Sequence, residues 1–265
     1  TGIKIPEKLL QIKNLDNVEA IEKTIESIKN DQNLEDPYLP IQRNRIESLH
    51  RLKKKLKNNG NVFIWEQIIN NLPFKSGWIY KILLRKIGVK IGKNVQLLGK
   101  LHIKIRGRPS AIQIGDDVIL GDMLDIRNRE NGKIVIHDKV VIDANVRLVA
   151  ARDGNIEIKT GTEIGTHSVI NSGGVTCIGE YSMIAGNVQI NSSSHGIAPG
   201  TYIKEQPHSH GTVKIGNDVW IGSGASILMN SEIGEGAVIS SNSLVSGKVP
   251  KFAICAGIPA KVIRF

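Results

Sequence analysis

The sequence predicts a mainly β protein, a parallel β-helix of about seven coils preceded by an α-helical N-terminal extension. Aliphatic residues recur at every sixth position between Ile91 and Val245, and longer spacings fall only after a third repeat. A six-residue period matches neither the repeat of a helix nor the alternation of a strand. Hexapeptide repeats are typical of parallel β-helices. Aromatic residues make up only 4% of the chain, which suits a narrow core of stacked aliphatic side chains.

Seven sets of three aliphatic residues define the predicted coils, and each set closes one turn around a shared core. The sets are Ile91, Leu97, Ile103; Ile114, Leu120, Ile126; Ile136, Ile142, Leu148; Ile158, Ile164, Ile170; Ile178, Ile184, Ile190; Ile215, Ile221, Ile227; and Ile233, Ile239, Val245. Small or β-branched residues that suit a tight corner follow many of them at the fourth position, for example Val95, Thr162 and Ala225. An antiparallel sandwich is the alternative, but its turns would not preserve this spacing.

Residues 1–88 predict a helical N-terminal extension, because apolar residues recur there at helical spacing among many charges. Pro37 and Pro40 separate the first two candidate helices. The candidate helices are residues 17–28, 41–56, 63–69 and 78–87. Residues 1–90 contain 17 Lys and Arg against 10 Asp and Glu, so they carry +7 of the net charge of +10.

A basic run marks the end of the second candidate helix. Its members are Arg51, Lys53, Lys54, Lys55 and Lys57. Such a run is usually a solvated helix face. The alternatives are a phosphate-bearing substrate or peripheral contact with an anionic membrane, where each basic residue contributes about 1 kcal/mol. Nucleic acid is not an expected partner, because the chain has no recognised binding motif and no series of stacking aromatics.

The compartment is predicted from the cysteines and the hydropathy pattern. Cys177 and Cys255 lack the spacing of a disulfide framework or a metal site, which indicates a reducing compartment. No signal peptide opens the chain, and no apolar run approaches the roughly 20 residues that span a bilayer. We therefore expect a cytoplasmic protein, with peripheral contact at the inner membrane face as an open alternative.

One interruption of the six-residue spacing is much longer than the others, since Ile190 is followed by Ile215. Long loops in compact domains are commonly functional. We therefore divide the chain after residue 88 into a β-helix at 89–250, with an excursion loop at 196–214, and a C-terminal tail at 251–265. His195 stands where the excursion begins, and an imidazole there could act as a general base.

Three runs resemble the hexapeptide-repeat acyltransferases, and most closely the branch of sugar O-acetyltransferases acting on galactosides, maltose, O-antigen, capsule and colanic acid. The runs are Ile184–His195, Ile215–Ser226 and Ala256–Arg264. This resemblance implies a left-handed β-helix, acetyl-CoA as cosubstrate without a metal, and a homotrimer with active sites between subunits. It also implies a sugar or glycan acceptor, belonging to a surface polysaccharide, a lipopolysaccharide or a precursor.

The resemblance also implies roles for individual residues. His195 would take the proton of a sugar hydroxyl that attacks the thioester directly, and Trp220 would line the acceptor or pantetheine side of the cleft. Ser223 and Ser241 would lie along the pantetheine arm, while Lys261 and Arg264 would meet the phosphates of CoA. Trp220 could instead be a corner anchor, and the two basic residues could simply keep the terminus soluble.

Three positions depart from the pattern of that branch. Ile258 replaces an Asn, and Lys248 stands one place later than the lysine that usually follows the penultimate coil. Gly165 occupies the position where galactoside acetyltransferases carry an acceptor-contacting Asn. Asn171, at the facing edge of the same coil, could contact the acceptor instead, although pairing with corner backbone is an equal alternative.

Three other classes compete with the sugar acetyltransferase. A serine acetyltransferase has a helical N-terminal domain, but that class places a characteristic Asp-His pair in an earlier coil, and the sequence shows no such pair. An antibiotic acetyltransferase would share the fold and His195, but that class does not usually carry a helical extension. A non-catalytic β-helix scaffold would share the fold alone. A metal site formed by His195, His208 and His210 does not reproduce the ligand spacing of the related γ-carbonic anhydrases, so no metal is expected.

Overall fold

The structure is a computed structural model that describes residues 62, 66, 68–71 and 77–265. Residues 68–71 are helical, and a second helix spans Gly77–Lys86. The candidate helices at 17–28 and 41–56, together with the basic run at 51–57, lie outside the described residues. None of the helices in the described part has the length and apolar character needed to cross a bilayer.

Three parallel sheets form the sides of a solenoid, and the chain visits them in turn. The first face contains Lys90–Ile91, Ile112–Ile114, Lys133–Ile136, Asn155–Ile158, Val175–Ile178, Thr212–Ile215, Glu232–Ile233 and Lys248–Val249. The second face contains Gln96–Leu97, Ile119–Leu120, Val141–Ile142, Glu163–Ile164, Met183–Ile184, Trp220–Ile221, Val238–Ile239, Ile254–Gly257 and Ala260–Arg264. The third face contains Leu101–Ile105, Leu124–Asn128, Arg147–Ala150, Val169–Ser172, Gln189–Asn191, Ser226–Ile227 and Leu244–Val245. Short 3-10 turns span Pro109–Ala111 and Ile203–Glu205. The predicted fold class is confirmed.

The six-residue repeat forms the core. Repeat residues of neighbouring coils pair directly, as Leu148, Ile170 and Ile190 do along the third face. All of the predicted core residues are buried except Ile91 and Leu97 in the first coil, which has no coil before it. Full burial of one such side chain contributes about 1.5–3 kcal/mol, so the stack supplies most of the driving force for folding.

The corners keep their polar groups satisfied while their small side chains point inward. Thr162 and Ser168 are buried, and their hydroxyls donate to the carbonyls of Gly179 at 2.6 Å and Ala185 at 3.0 Å in the next coil. Corners also need left-handed backbone, for example at Asn187 with φ of 60°. Asn tolerates this conformation better than most residues, which explains why corners are rich in it.

Side chains from the two helical segments at 68–71 and Gly77–Lys86 cover the N-terminal end of the solenoid. The Asn70 side chain donates to the carbonyl of Ile103 and accepts from its N–H, both at 2.9 Å, as a neighbouring strand would. Lys81 and Arg85 donate to carbonyls of the first coil, including that of Val95 at 3.0 Å. Covering an open sheet edge in this way prevents it from pairing with another chain.

The C-terminal end is covered by a strand of the opposite direction. Ile254–Gly257 pairs in parallel with Val238–Ile239, and Ala260–Arg264 then folds back against it as the outermost strand of the second face. Parallel pairing therefore continues past residue 250, where the sequence suggested that the tail begins. The sequence also placed residues 212–214 at the end of the excursion loop, and in the structure they belong to the first-face strand Thr212–Ile215.

Candidate functional site

The excursion leaves the solenoid after Gln189–Asn191 and returns at Thr212–Ile215. Its two ends pair as an antiparallel ribbon, Ser193–His195 against His208–His210, in which His195 lies opposite His208. We call this ribbon the histidine hairpin. It projects from the corner between the third and first faces, and this corner therefore holds all three histidines of the excursion.

Buried hydroxyl groups anchor the base of the histidine hairpin. The Ser192 side chain is fully buried, lies 3.1 Å from the Ser172 hydroxyl and accepts from the N–H of Gly174 at 3.2 Å. Thr176, also buried, donates to the Ser172 hydroxyl at 3.1 Å. Because these buried groups pair with one another, they fix where the hairpin leaves the corner.

Gln206 organises the tip of the excursion. Its carbonyl oxygen accepts from the N–H of Ala198 at 2.8 Å, and its amide nitrogen donates to the carbonyls of Ala198 and Thr201 at 2.9 Å. One largely buried side chain therefore holds both sides of the loop. The sequence analysis did not identify Gln206, because nothing in the six-residue spacing marks a glutamine inside an interruption.

The three histidines of the hairpin are close together. The rings of His195 and His208 lie 4.0 Å apart between centroids, and those of His208 and His210 lie 6.2 Å apart. An Arg152 guanidinium nitrogen lies 2.9 Å from His210 Nε2. Because arginine can only donate, His210 Nε2 must be the acceptor and carries no proton.

The surroundings of His208 favour its neutral form. Burial against the hairpin, followed by the nearby His195, Arg152 and His210, lowers the pKa of His208 below its usual value. The ring that lies 4.0 Å from His195 between centroids is therefore held in its uncharged form.

A groove of about 310 Å³ runs from the histidine hairpin along the third face. We call it the arginine groove. The residues that matter chemically are Arg129, Glu130, Arg152, Asn171, His208 and His210. Asn171 is half-buried there and donates to the Asn191 side chain at 3.1 Å, so its partner is another side chain and not corner backbone.

Trp220 lies elsewhere on the prism. It begins the second-face strand Trp220–Ile221, pairs with Met183 and is 54% exposed. With Gly165 it lines a second groove of about 270 Å³ that shares no residue with the arginine groove. A Cβ on Gly165 would lie 2.6 Å from the backbone nitrogen of Gly186, so an Asn cannot replace it on this backbone.

The residues for which the resemblance implies contacts with CoA lie in the C-terminal coils. We call the corner that carries Ser223 and Ser241 the CoA ridge. Ser223 and Ser241 occupy the same corner, between the second and third faces, one coil apart, and both are exposed. Lys261 and Arg264 are exposed on the last strand of the second face, where Lys261 pairs with Ala256 and Arg264 pairs with Ile254. Lys248 is on the first face, where its ammonium lies 3.2 Å from the Glu232 carboxylate.

Within one chain the structure therefore divides the predicted site residues between separate places. His195 and Asn171 lie near the corner of the histidine hairpin, and Trp220 lies in the second-face groove. The predicted CoA contacts lie on the CoA ridge and on the last strand of the second face. In the part of the chain that the structure describes, no group of three or more His, Cys, Asp or Glu side chains is arranged to hold a metal ion.

The site residues predicted from the sequence do not include Arg129 and Arg152. A usable signal was present, because Arg129 follows the core residue Ile126 by three positions and Arg152 follows Leu148 by four. Ser193 likewise follows Ile190 by three, so all three positions fall at the corner from which the excursion leaves. Counting along the repeat to that corner would have placed both arginines beside the histidine hairpin.

Comparison with known proteins gives the family. The bacterial transferase hexapeptide (six repeats) model matches residues 212–247. The dTDP-4-amino-4,6-dideoxy-D-glucose acyltransferase of Escherichia coli is 32% identical over 175 residues, which cover 63% of this chain and 86% of that enzyme. The chain therefore belongs to the hexapeptide-repeat acyltransferase family.

Two further relatives match over 177 and 144 residues. A probable acetyltransferase of Mycobacterium tuberculosis is 31% identical over 177 residues, covering 66% of this chain and 51% of that protein. A protein of Escherichia coli named putative lipopolysaccharide biosynthesis O-acetyl transferase WbbJ is 28% identical over 144 residues, covering 51% of this chain and 74% of that protein. This chain thus spans about half the length of the mycobacterial relative.

Proposed function

We propose that this protein is an acetyl-CoA-dependent O-acetyltransferase that modifies a sugar hydroxyl of a surface polysaccharide, a lipopolysaccharide or a precursor. Family membership supports acyl transfer, and two relatives are named for sugar or lipopolysaccharide acylation. The observation that carries the proposal is the position of His195 on an anchored hairpin, directly opposite His208, which lines the arginine groove.

His195 acts as the general base in the proposed reaction. It takes the proton of the sugar hydroxyl, and the oxygen attacks the thioester carbonyl of acetyl-CoA. The tetrahedral intermediate collapses with cleavage of the C–S bond, and the thiolate of CoA takes the proton back from the imidazolium. No acyl-enzyme forms, so the protein supplies position, a base and N–H donors for the developing oxyanion.

The proposed binding roles follow the distribution of residues on the prism. Ser223 and Ser241 line the path of the pantetheine arm, with Lys261 and Arg264 at the CoA phosphates. Trp220 lines the acceptor or pantetheine side, while Asn171 contacts the acceptor in the arginine groove.

A homotrimer with sites between subunits accounts for this distribution. His195 and the CoA ridge lie on different corners of the same prism, so one chain does not bring them together. A second copy placed against the first can bring its ridge to the histidine hairpin of its neighbour. We propose a cytoplasmic location, where acetyl-CoA is available, with peripheral membrane contact through the N-terminal extension.

An antibiotic acceptor is the second candidate function. A chloramphenicol acetyltransferase of Morganella morganii is 45% identical to this chain, but only over 75 residues, which are 25% of the chain. An acceptor screen with acetyl-CoA, read by thiol release and mass spectrometry, separates the two. Transfer to chloramphenicol but to no glycan or nucleotide sugar would favour the antibiotic enzyme, and no transfer to any acceptor would favour a scaffold.

Replacing His195 with Ala should lower acetyl transfer at least about 100-fold, in line with the usual contribution of a general base. His137→Ala is the matched control, because His137 is a partly exposed histidine that pairs with Glu157 outside the excursion, at 2.9 Å. His208→Ala should lower transfer less than His195→Ala does. Near-normal turnover in His195→Ala, with loss confined to His208→Ala, would assign the base to His208.

A further inference from the structure

The arginine groove contains two arginines without a carboxylate partner. Among the described residues, neither Arg129 nor Arg152 forms an ion pair, and Arg129 Nε is buried without any hydrogen-bond partner. A buried guanidinium N–H left unpaired costs about 1–3 kcal/mol or more. A ligand that accepts a hydrogen bond from this N–H would remove the cost, so an unpaired guanidinium is expected at a binding site.

Neighbouring arginines on the same face behave differently. Arg127 and Arg147 both bind the Asp125 carboxylate, at 2.6 Å and 3.0 Å for the shortest contacts. These guanidiniums hold the pKa of Asp125 below its usual value despite its partial burial. On this face an aspartate therefore balances the charge of two arginines outside the groove. The two arginines inside the groove have no such carboxylate.

The charge that remains in the groove is positive. Glu130 also lines it, but its carboxylate accepts from the backbone N–H of Arg152 at 2.7 Å. Arg129, Arg152 and Glu130 together leave a net charge of +1, since His210 accepts a hydrogen bond from Arg152 through an unprotonated nitrogen. The Asn171 side chain adds a polar group on the same groove.

We propose that the arginine groove binds an anionic group of the acceptor, a carboxylate or a phosphate, through Arg129 and Arg152. This inference rests on the proposed function and deepens it, because it makes the acceptor an acidic sugar or a phosphate-linked sugar. Planar guanidiniums pair well with either oxyanion. His208 lines the same groove and contacts His195, so an anchored anion places a hydroxyl of the same sugar near the base.

The test compares three probes on the full-length protein by titration calorimetry and acetyl transfer. They are an oligosaccharide ending in glucuronic acid, the same oligosaccharide with that carboxyl group reduced, and dTDP as a nucleoside diphosphate. Wild-type protein should bind the glucuronate probe or dTDP at least about 10-fold more tightly than the reduced probe, which is the usual scale of a charge-assisted hydrogen bond.

Arg129→Gln should remove that preference while leaving the KM for acetyl-CoA unchanged, and Arg129→Lys should restore part of it. Arg106→Gln is the matched control, because Arg106 is exposed at the corresponding position one coil earlier and does not line the groove. Equal losses in Arg129→Gln and Arg106→Gln would overturn the proposal by indicating a general charge effect.

The probes also distinguish a carboxylate from a phosphate, and they test the groove assignment separately from the proposed acetyl transfer. Preference for glucuronate alone identifies a carboxylate, and preference for dTDP alone identifies a phosphate. Acetyl transfer to neutral and acidic acceptors alike, without an Arg129 effect, overturns the groove assignment and leaves the acetyltransferase intact. Anion binding that depends on Arg129, with no transfer to any acceptor, supports the groove and contradicts the proposed reaction.

Discussion

The coils and the excursion are built by different kinds of interaction. In the coils, each aliphatic repeat residue stacks on its equivalents in neighbouring coils, so one spacing rule determines position, burial and partner. In the excursion, single polar side chains determine the structure, as Gln206 does at the tip and Ser192 at the base. The coils are therefore redundant and stable, whereas each contact in the excursion is made once.

Removal of a core side chain should have the largest effect on stability. Ile170 is fully buried between Leu148 and Ile190 on the third face, so Ile170→Ala leaves a cavity. We expect the free energy of unfolding to fall by about 2–5 kcal/mol, measured by denaturant unfolding. His208→Gln is the comparison within the excursion and should change stability by less than about 0.5 kcal/mol at pH 7.5. A larger loss in His208→Gln would show that the excursion is part of the cooperative core.

The same difference explains what could be predicted from the sequence. The spacing rule located the buried repeat residues of the coils and also the corner at which His195 stands, because both depend only on counting. It could not locate the contact between Arg152 and His210, which joins residues 58 positions apart. That contact depends on how the excursion folds back, and the fold of the excursion depends on Gln206 and on buried hydroxyls without a repeat. Ile91 and Leu97 were predicted as core and are only half-buried, because the first coil is a terminus.

Gly173 lies at a corner of the coils, where it packs against the histidine hairpin. Substitution of Gly173 should therefore affect activity more than stability. A Cβ at this corner would lie 2.5 Å from His210 Nδ1 and 3.0 Å from Ser193 Cβ, so Gly173→Ala should displace the histidine hairpin. A displacement of about 1 Å at a catalytic group can cost on the order of 100-fold in rate. We expect acetyl transfer to fall about 10–100-fold while the unfolding free energy changes by less than about 1 kcal/mol.

Ser209→Ala is the control for Gly173→Ala, because it changes the same hairpin but removes only a 3.4 Å contact to the Ser194 carbonyl. It should retain nearly full activity. If Gly173→Ala unfolds as easily as Ile170→Ala, or if it keeps wild-type activity, the separation between a stable coil and a functional excursion does not hold at this corner.

The smallest expected effect is a pH dependence of stability from His208. Its pKa is lowered in the folded protein, mainly by burial and then by His195, Arg152 and His210. As pH falls through the ordinary histidine pKa of about 6.5, the unfolded chain binds a proton at this position before the folded chain does. Folded stability is therefore complete above that pH and declines below it, until the pH reaches the lowered pKa and the decline stops.

Denaturant unfolding of wild type and His208→Gln between pH 7.5 and pH 5 measures this effect. The stability of wild type relative to His208→Gln should decrease as the pH is lowered, because the glutamine does not titrate. In the Gly173→Ala background the decrease should shrink, since a displaced hairpin no longer holds His208 against His195 and Arg152. An equal decrease in both backgrounds would contradict this account, because it would mean that the position of the hairpin does not lower the pKa of His208.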